Sequence, residues 1–192
     1  MKEAIRKALR DYPVFTVRDL ASLLHKKNNY AYLQAYRWKK EKLIYEIEKG
    51  KYTLEEDPFL VSSWIVWPSY LSGWAALHYY HLTEQLPFTI QVITSRRRKK
   101  RVLNYGNAKI EFTTVKSTFF FGFQRVIYQQ HEIFIAEKEK ALIDALAARK
   151  MSLAESIEII ENNKRKINRR KLFSYAALVP GLTTKLKREL YD

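Results

Sequence analysis

Across residues 12–54 the apolar positions first recur at helical spacing and then alternate, and no other feature constrains the fold of this chain as much. A first helix over residues 2–11 would align Ile5, Ala8 and Leu9. Pro13 ends it, because Tyr12 before it is pushed away from helical angles. Thr16 stands three residues before Asp19, an acidic form of the capping box. It opens a second helix over residues 17–25 that is expected to bury Val17, Leu20, Ala21 and Leu24. Asn28 and Asn29 offer an N-cap for a third helix over residues 30–42. Residues 43–48 then alternate as a strand, Lys49-Gly50 turns, and residues 51–54 return. Helix, tight turn, helix and hairpin in this order outline a winged helix-turn-helix, a module that lays one helix in a DNA groove.

The third helix divides into two faces. Ala31, Ala35, Trp38 and Lys42 share one, and the two alanines would let it approach the second helix closely. Tyr32, Leu33, Tyr36, Arg37 and Lys40 share the other, with Leu33 expected at the boundary. The candidate DNA-binding residues are therefore Asn29, Tyr30, Tyr32, Tyr36, Arg37, Lys39 and Lys40, with Lys49 and Lys51 on the hairpin reaching backbone phosphates.

Charge points the same way. Lys and Arg number 35 against 20 Asp and Glu, a formal +15, so a polyphosphate is the expected counter-ligand and a merely solvated surface the bland alternative. Arg96, Arg97, Arg98, Lys99, Lys100 and Arg101 form an unbroken basic run between two expected strands. Such a run repels itself unless an anion neutralises it, which makes these six candidate phosphate-binding residues. A second cluster, Lys164-Arg165-Lys166 with Arg169-Arg170-Lys171, spans a helix junction.

Beyond an acidic joint at Glu55-Glu56-Asp57-Pro58, residues 58–83 carry no charged side chain. Ser62, Ser63, Pro68, Ser69, Ser72 and Gly73 interrupt the run, so it reads as a buried strand and then a helix over residues 71–81 rather than a membrane span. Strands follow at 88–94, 102–105 and 109–115, the last two forming a hairpin around Gly106-Asn107. Residues 119–123 form an aromatic knot, 126–128 and 132–135 further strands, 136–149 and 153–162 helices, and 172–190 a helical tail broken at Pro180-Gly181. The expected class is α+β: a winged helix-turn-helix DNA-binding domain over residues 1–57, then a mixed α/β domain with a helical tail over residues 58–192.

Catalytic signatures are missing. Without cysteine there is no disulfide, thiolate zinc site or thiol nucleophile, in keeping with a cytoplasmic location. The charged amino terminus lacks the apolar core of a signal peptide. His78 and His81 have metal-ligand spacing, but no acidic or thiolate partner lies close in sequence, so neither metal nor cofactor is expected. No Glu-x-Lys or Asp-x-Lys tripeptide and no glycine-rich phosphate loop occurs. Glu137-Lys138-Glu139-Lys140 reads as a solvated helix start with outward lysines.

Several fragments, in order and spacing, resemble the AbiEi-type antitoxins of toxin–antitoxin and abortive-infection operons. They are Gly50-Lys51-Tyr52, the block from Tyr70-Leu71-Ser72-Gly73-Trp74 to His81-Leu82, the strand Thr89-Ile90-Gln91-Val92-Ile93-Thr94, Ile110-Glu111-Phe112, Phe120-Phe121-Gly122-Phe123, and Ala136 through Leu146. Where such a turn usually holds glycine, this chain has His81-Leu82. The resemblance implies a non-enzymatic transcriptional repressor. It would bind double-stranded DNA at its own operator and counter a nucleotidyltransferase-like toxin, with homodimerisation a further expectation. Two other readings stand beside it: an RNA-binding module gripping its ligand with tyrosines and basic patches, and a nuclease of unrecognised type.

Overall fold

A computed structural model describes every residue except Lys2 and Asp192, so the first residue of the expected opening helix lies outside the described residues. The fold is mixed α+β and has two hydrophobic clusters, one drawn mainly from each half of the expected division.

The amino-terminal part contains α1 (Glu3–Arg10), β1 (Phe15–Thr16), α2 (Val17–Leu24), α3 (Asn28–Lys40), β2 (Tyr45–Glu48) and β3 (Lys51–Thr53). The short strand β1 was not expected. It pairs antiparallel with β3 through Phe15 and Tyr52, giving a three-stranded sheet in the order β1-β3-β2. Thr16 serves both elements. It ends β1, and its hydroxyl accepts from the Asp19 backbone N–H while Asp19 Oδ2 accepts from the Thr16 N–H at 2.7 Å. Leu9, Phe15, Leu20, Ala31, Ala35, Trp38, Ile44 and Tyr52 form the core, whereas Val17 and Leu24 are only half-buried.

The third helix sits two residues earlier than its sequence suggests. Lys27 is the N-cap and makes no side-chain cap bond; Tyr30 and Ala31 both donate their N–H groups to the Lys27 carbonyl, so Asn28 and Asn29 form the first turn. At the other end Leu43 donates back to the Trp38 carbonyl at 2.9 Å, and Lys42 takes a left-handed conformation with φ 55°. Lys42 is consequently exposed and does not share the packed face of Ala31, Ala35 and Trp38.

The remainder contains α4 (Pro58–Ser62), β4 (Ser69–Ser72), α5 (Gly73–Tyr79), β5 (Thr89–Thr94), β6 (Val102–Tyr105), β7 (Ala108–Thr114), β8 (Phe123–Tyr128), β9 (His131–Ala136), α6 (Lys138–Ala147), α7 (Leu153–Asn162), α8 (Arg169–Ala176) and α9 (Leu182–Tyr191). Its six-stranded mixed sheet runs β6-β7-β5-β4-β9-β8, with β5/β7 and β4/β9 parallel and the other pairs antiparallel.

The uncharged stretch differs most from expectation. It opens with a short helix, capped by Asp57 accepting from the Phe59 N–H at 2.8 Å, before its strand. Leu71 and Ser72 pair with Val92 and Gln91 in the sheet, so α5 starts only at Gly73. Gly73 has φ 57°, and a Cβ there would lie 1.4 Å from Gln91 Oε1, so any other residue at this strand-to-helix bend would be strained and would have to displace the Gln91 amide. His81 takes φ 53°, the left-handed conformation that glycine adopts without strain, as Leu82 donates back to the Leu77 carbonyl. Among the described residues no helix is long and apolar enough to cross a membrane.

Candidate nucleic-acid interface

On α3 the buried residues are Ala31, Ala35 and Trp38. The opposite side is bare: Tyr30, Tyr32, Leu33 and Tyr36 are 47%, 55%, 55% and 47% exposed, and Asn29, Arg37, Lys39 and Lys40 are exposed as well. Leu33 is not at a boundary. Asn29 and Tyr30 precede it by four and three residues, Tyr36 and Arg37 follow by three and four, and Lys40 by seven, so it occupies the centre of the outward face. The Lys40 ammonium lies 5.0 Å from the centroid of the Tyr36 ring. Lys39, off to one side, pairs with Glu46 of β2, and that partner raises the Lys39 pKa.

The hairpin beside α3 treats its two lysines differently. Lys49 is exposed at the turn, next to Gly50 with φ 79°. Lys51 is instead turned inward: it pairs with Glu48 at 2.9 Å and donates to the Ile65 carbonyl. Glu48 also receives both Arg98 guanidinium nitrogens, at 3.2 and 2.6 Å. Arg98 lies over the Phe112 ring, 4.2 Å from its centroid, with its side chain 10% exposed. Burial by itself would raise the Glu48 pKa, but hydrogen bonds from Arg98 and Lys51 hold it below the ordinary carboxylate value.

The run of six basic residues is therefore not a uniform phosphate grip. Arg98 faces the protein and braces the loop against the hairpin, and Arg96, Arg97, Lys99, Lys100 and Arg101 are exposed around it. The second basic cluster is tied into the fold at four of its six residues, three of them through two carboxylates. Lys164 and Arg169 pair with Glu161, Lys171 pairs with Glu137 at 2.7 Å, and Lys166 donates to the His81 carbonyl at 3.0 Å.

The Glu137–Lys140 segment overturns the expected solvated helix start. Glu139 and Lys140 are buried, and Glu139 accepts from the Asn168 backbone N–H at 2.7 Å. Lys140 pairs with Asp144 one turn on and lies 3.0 Å from the Tyr70 hydroxyl. Tyr70 and Ser72 both donate to Asp144 Oδ2, at 3.1 and 2.8 Å. Burial raises the pKa of Asp144 despite Lys140, and also raises that of Tyr70. The group is buried and ties β4 to α6. Its one cue in the sequence is the i,i+4 spacing of Lys140 and Asp144.

His78 and His81 gather no further ligands: among the described residues no group of three His, Cys, Asp or Glu side chains could hold a metal ion. No known family model matches this chain, and no curated protein is similar to it.

Proposed function

We propose that the amino-terminal part is a winged helix-turn-helix and that the protein is a sequence-specific, non-enzymatic DNA-binding regulator. The observation that carries this reading is the outward face of α3. A thirteen-residue helix packed on one side presents Asn29, Tyr30, Tyr36, Arg37 and Lys40 on the other, all of them exposed. A helix of this kind fits the major groove, where Arg and Asn read base edges. Lys49 supplies phosphate contact beside it. Arg98 holds the loop bearing Arg96, Arg97, Lys99, Lys100 and Arg101 against the same hairpin, which extends the cationic surface onto the second part of the molecule. Lys51 is occupied by Glu48 and belongs to the brace.

The resemblance to AbiEi-type antitoxins supports a narrower reading: an autoregulating repressor in the cytoplasm whose second part counters a nucleotidyltransferase-like toxin. The test is binding of the purified protein to its own upstream DNA, to a scrambled duplex and to structured RNA, at two salt concentrations. Preference for the upstream duplex that survives higher salt is expected. If about six phosphates are neutralised, the log–log salt slope should be about −5. Equal, salt-collapsing binding to both duplexes would overturn sequence-specific regulation, and tighter binding to RNA would replace DNA as the ligand.

A further inference from the structure

Leu33 has no structural role that the fold explains. It stands 55% exposed at the centre of the outward face of α3, diametrically opposite the buried Ala31 and Ala35. With Tyr30, Tyr32 and Tyr36 it forms one exposed apolar patch, and such a patch marks a contact surface where a lone leucine would not. The geometry points to Leu33 as a specificity-determining residue that contacts the C5-methyl group of thymine, so that the sequence recognised contains thymine at the centre of the α3 footprint. This inference rests on the DNA-reading role proposed for α3.

The thymine methyl is the one apolar group that a base pair shows in the major groove, and apolar side chains are its usual contacts. Asn29, Arg37 and Lys40 surround Leu33 within one or two helical turns. An apolar protein surface laid on Leu33 would strip water from those polar groups without returning hydrogen bonds. A groove returns them, offering acceptors on purine edges and phosphates to Arg37 and Lys40 while giving Leu33 a methyl. Tyr30 and Tyr36 lie to either side of Leu33, three residues away along the chain, and exclude water from the contact.

The experiment begins with selection of tight duplexes from a random pool, followed by replacement of thymine with deoxyuridine at single positions of the selected site. That exchange removes only the methyl group. Wild-type protein should bind about fourfold more weakly at one or two central positions, the value of one buried methyl. Leu33→Ala should lose a similar factor on the thymine duplex and should no longer distinguish thymine from uracil there. Equal wild-type affinity for thymine and uracil at every position would overturn the methyl contact while leaving DNA recognition by α3 intact. Undiminished discrimination by Leu33→Ala would likewise overturn it, assigning the methyl to another side chain. Failure of any duplex to enrich would instead remove the underlying DNA reading, and the inference with it.

Discussion

Helices α3 and α6 both invert the usual sorting of side chains, in opposite directions. The outer face of α3 shows solvent a leucine and three tyrosines, whereas α6 hides Glu139, Lys140 and Asp144 among apolar neighbours. The difference lies in what meets each anomaly. In α6 the buried charges have partners inside the molecule: Lys140 with Asp144 and Tyr70, Asp144 with Ser72 as well, and Glu139 with a backbone N–H. On α3, among the described residues, the outward leucine and tyrosines stand about half open to solvent, with the Lys40 ammonium over the Tyr36 ring. A satisfied anomaly holds a fold together, and under the proposed function the exposed one is a contact surface.

The largest effect should come from breaking the satisfied one. Lys140→Ala leaves Asp144 buried without its counter-ion, a change that costs about 3–5 kcal/mol in buried ion pairs. Urea unfolding should show that loss, and the double variant Lys140→Ala with Asp144→Asn should recover part of it, because the amide is uncharged and its oxygen can still accept from Tyr70 and Ser72. If Lys140→Ala unfolds like wild type, α6 contains no tightly coupled pair and the contrast with α3 disappears. On α3 the corresponding change acts on binding. Arg37→Ala should cost about 1–3 kcal/mol of affinity on a selected duplex if Arg37 pairs with a guanine, and much less on random DNA. Equal losses on both would make it a phosphate contact.

How much of this could be read from the sequence depended on whether a residue's partners were local. The capping box at Thr16 and Asp19, the β6–β7 hairpin and the α7 boundaries follow from neighbouring residues and stand where the sequence puts them. Ala31, Ala35 and Trp38 were legible as a packed face because helical period alone brings them together. Strand β1 was not, since two residues carry no period and Phe15 is defined by Tyr52 across the sheet. Nor was the role of Arg98. Nothing in a run of six cations distinguishes the third, and its partner Glu48 lies fifty positions earlier. Lys140 was misread for the same reason: a fully charged tetrapeptide shows no apolar face, and Tyr70 and Ser72 lie about seventy residues away.

The link between Glu48 and Arg98 offers a smaller effect, with a pH signature. The folded pKa of Glu48 is held below its ordinary value, so the unfolded chain takes up that proton more readily than the folded protein. The stabilisation should be fully present above the ordinary carboxylate pKa and be lost as pH falls through the lowered folded value. Wild type should therefore exceed Glu48→Gln in stability by a constant margin near neutrality, about 1.5–3 kcal/mol for hydrogen bonds to a charged group. The margin should shrink once the solution is more acid than the ordinary carboxylate range. A margin that stays flat down to strong acid would mean that Glu48 braces the hairpin by packing and not by charge.

The smallest expected effect sharpens the comparison most. Leu33→Gln should leave unfolding within about 0.5 kcal/mol of wild type, because the side chain contacts little in the free protein and glutamine has nearly the helix propensity of leucine. The buried α6 residues do not share this tolerance, so the two helices should separate cleanly in one set of urea titrations. A loss well beyond that range would mean that Leu33 is covered in solution. A second copy of the chain is the occupant that such a result would implicate, and the melting temperature would then rise with protein concentration. An outward face of α3 buried between two copies could not meet DNA without dissociation, and sequence preference would appear only below the concentration at which the copies separate.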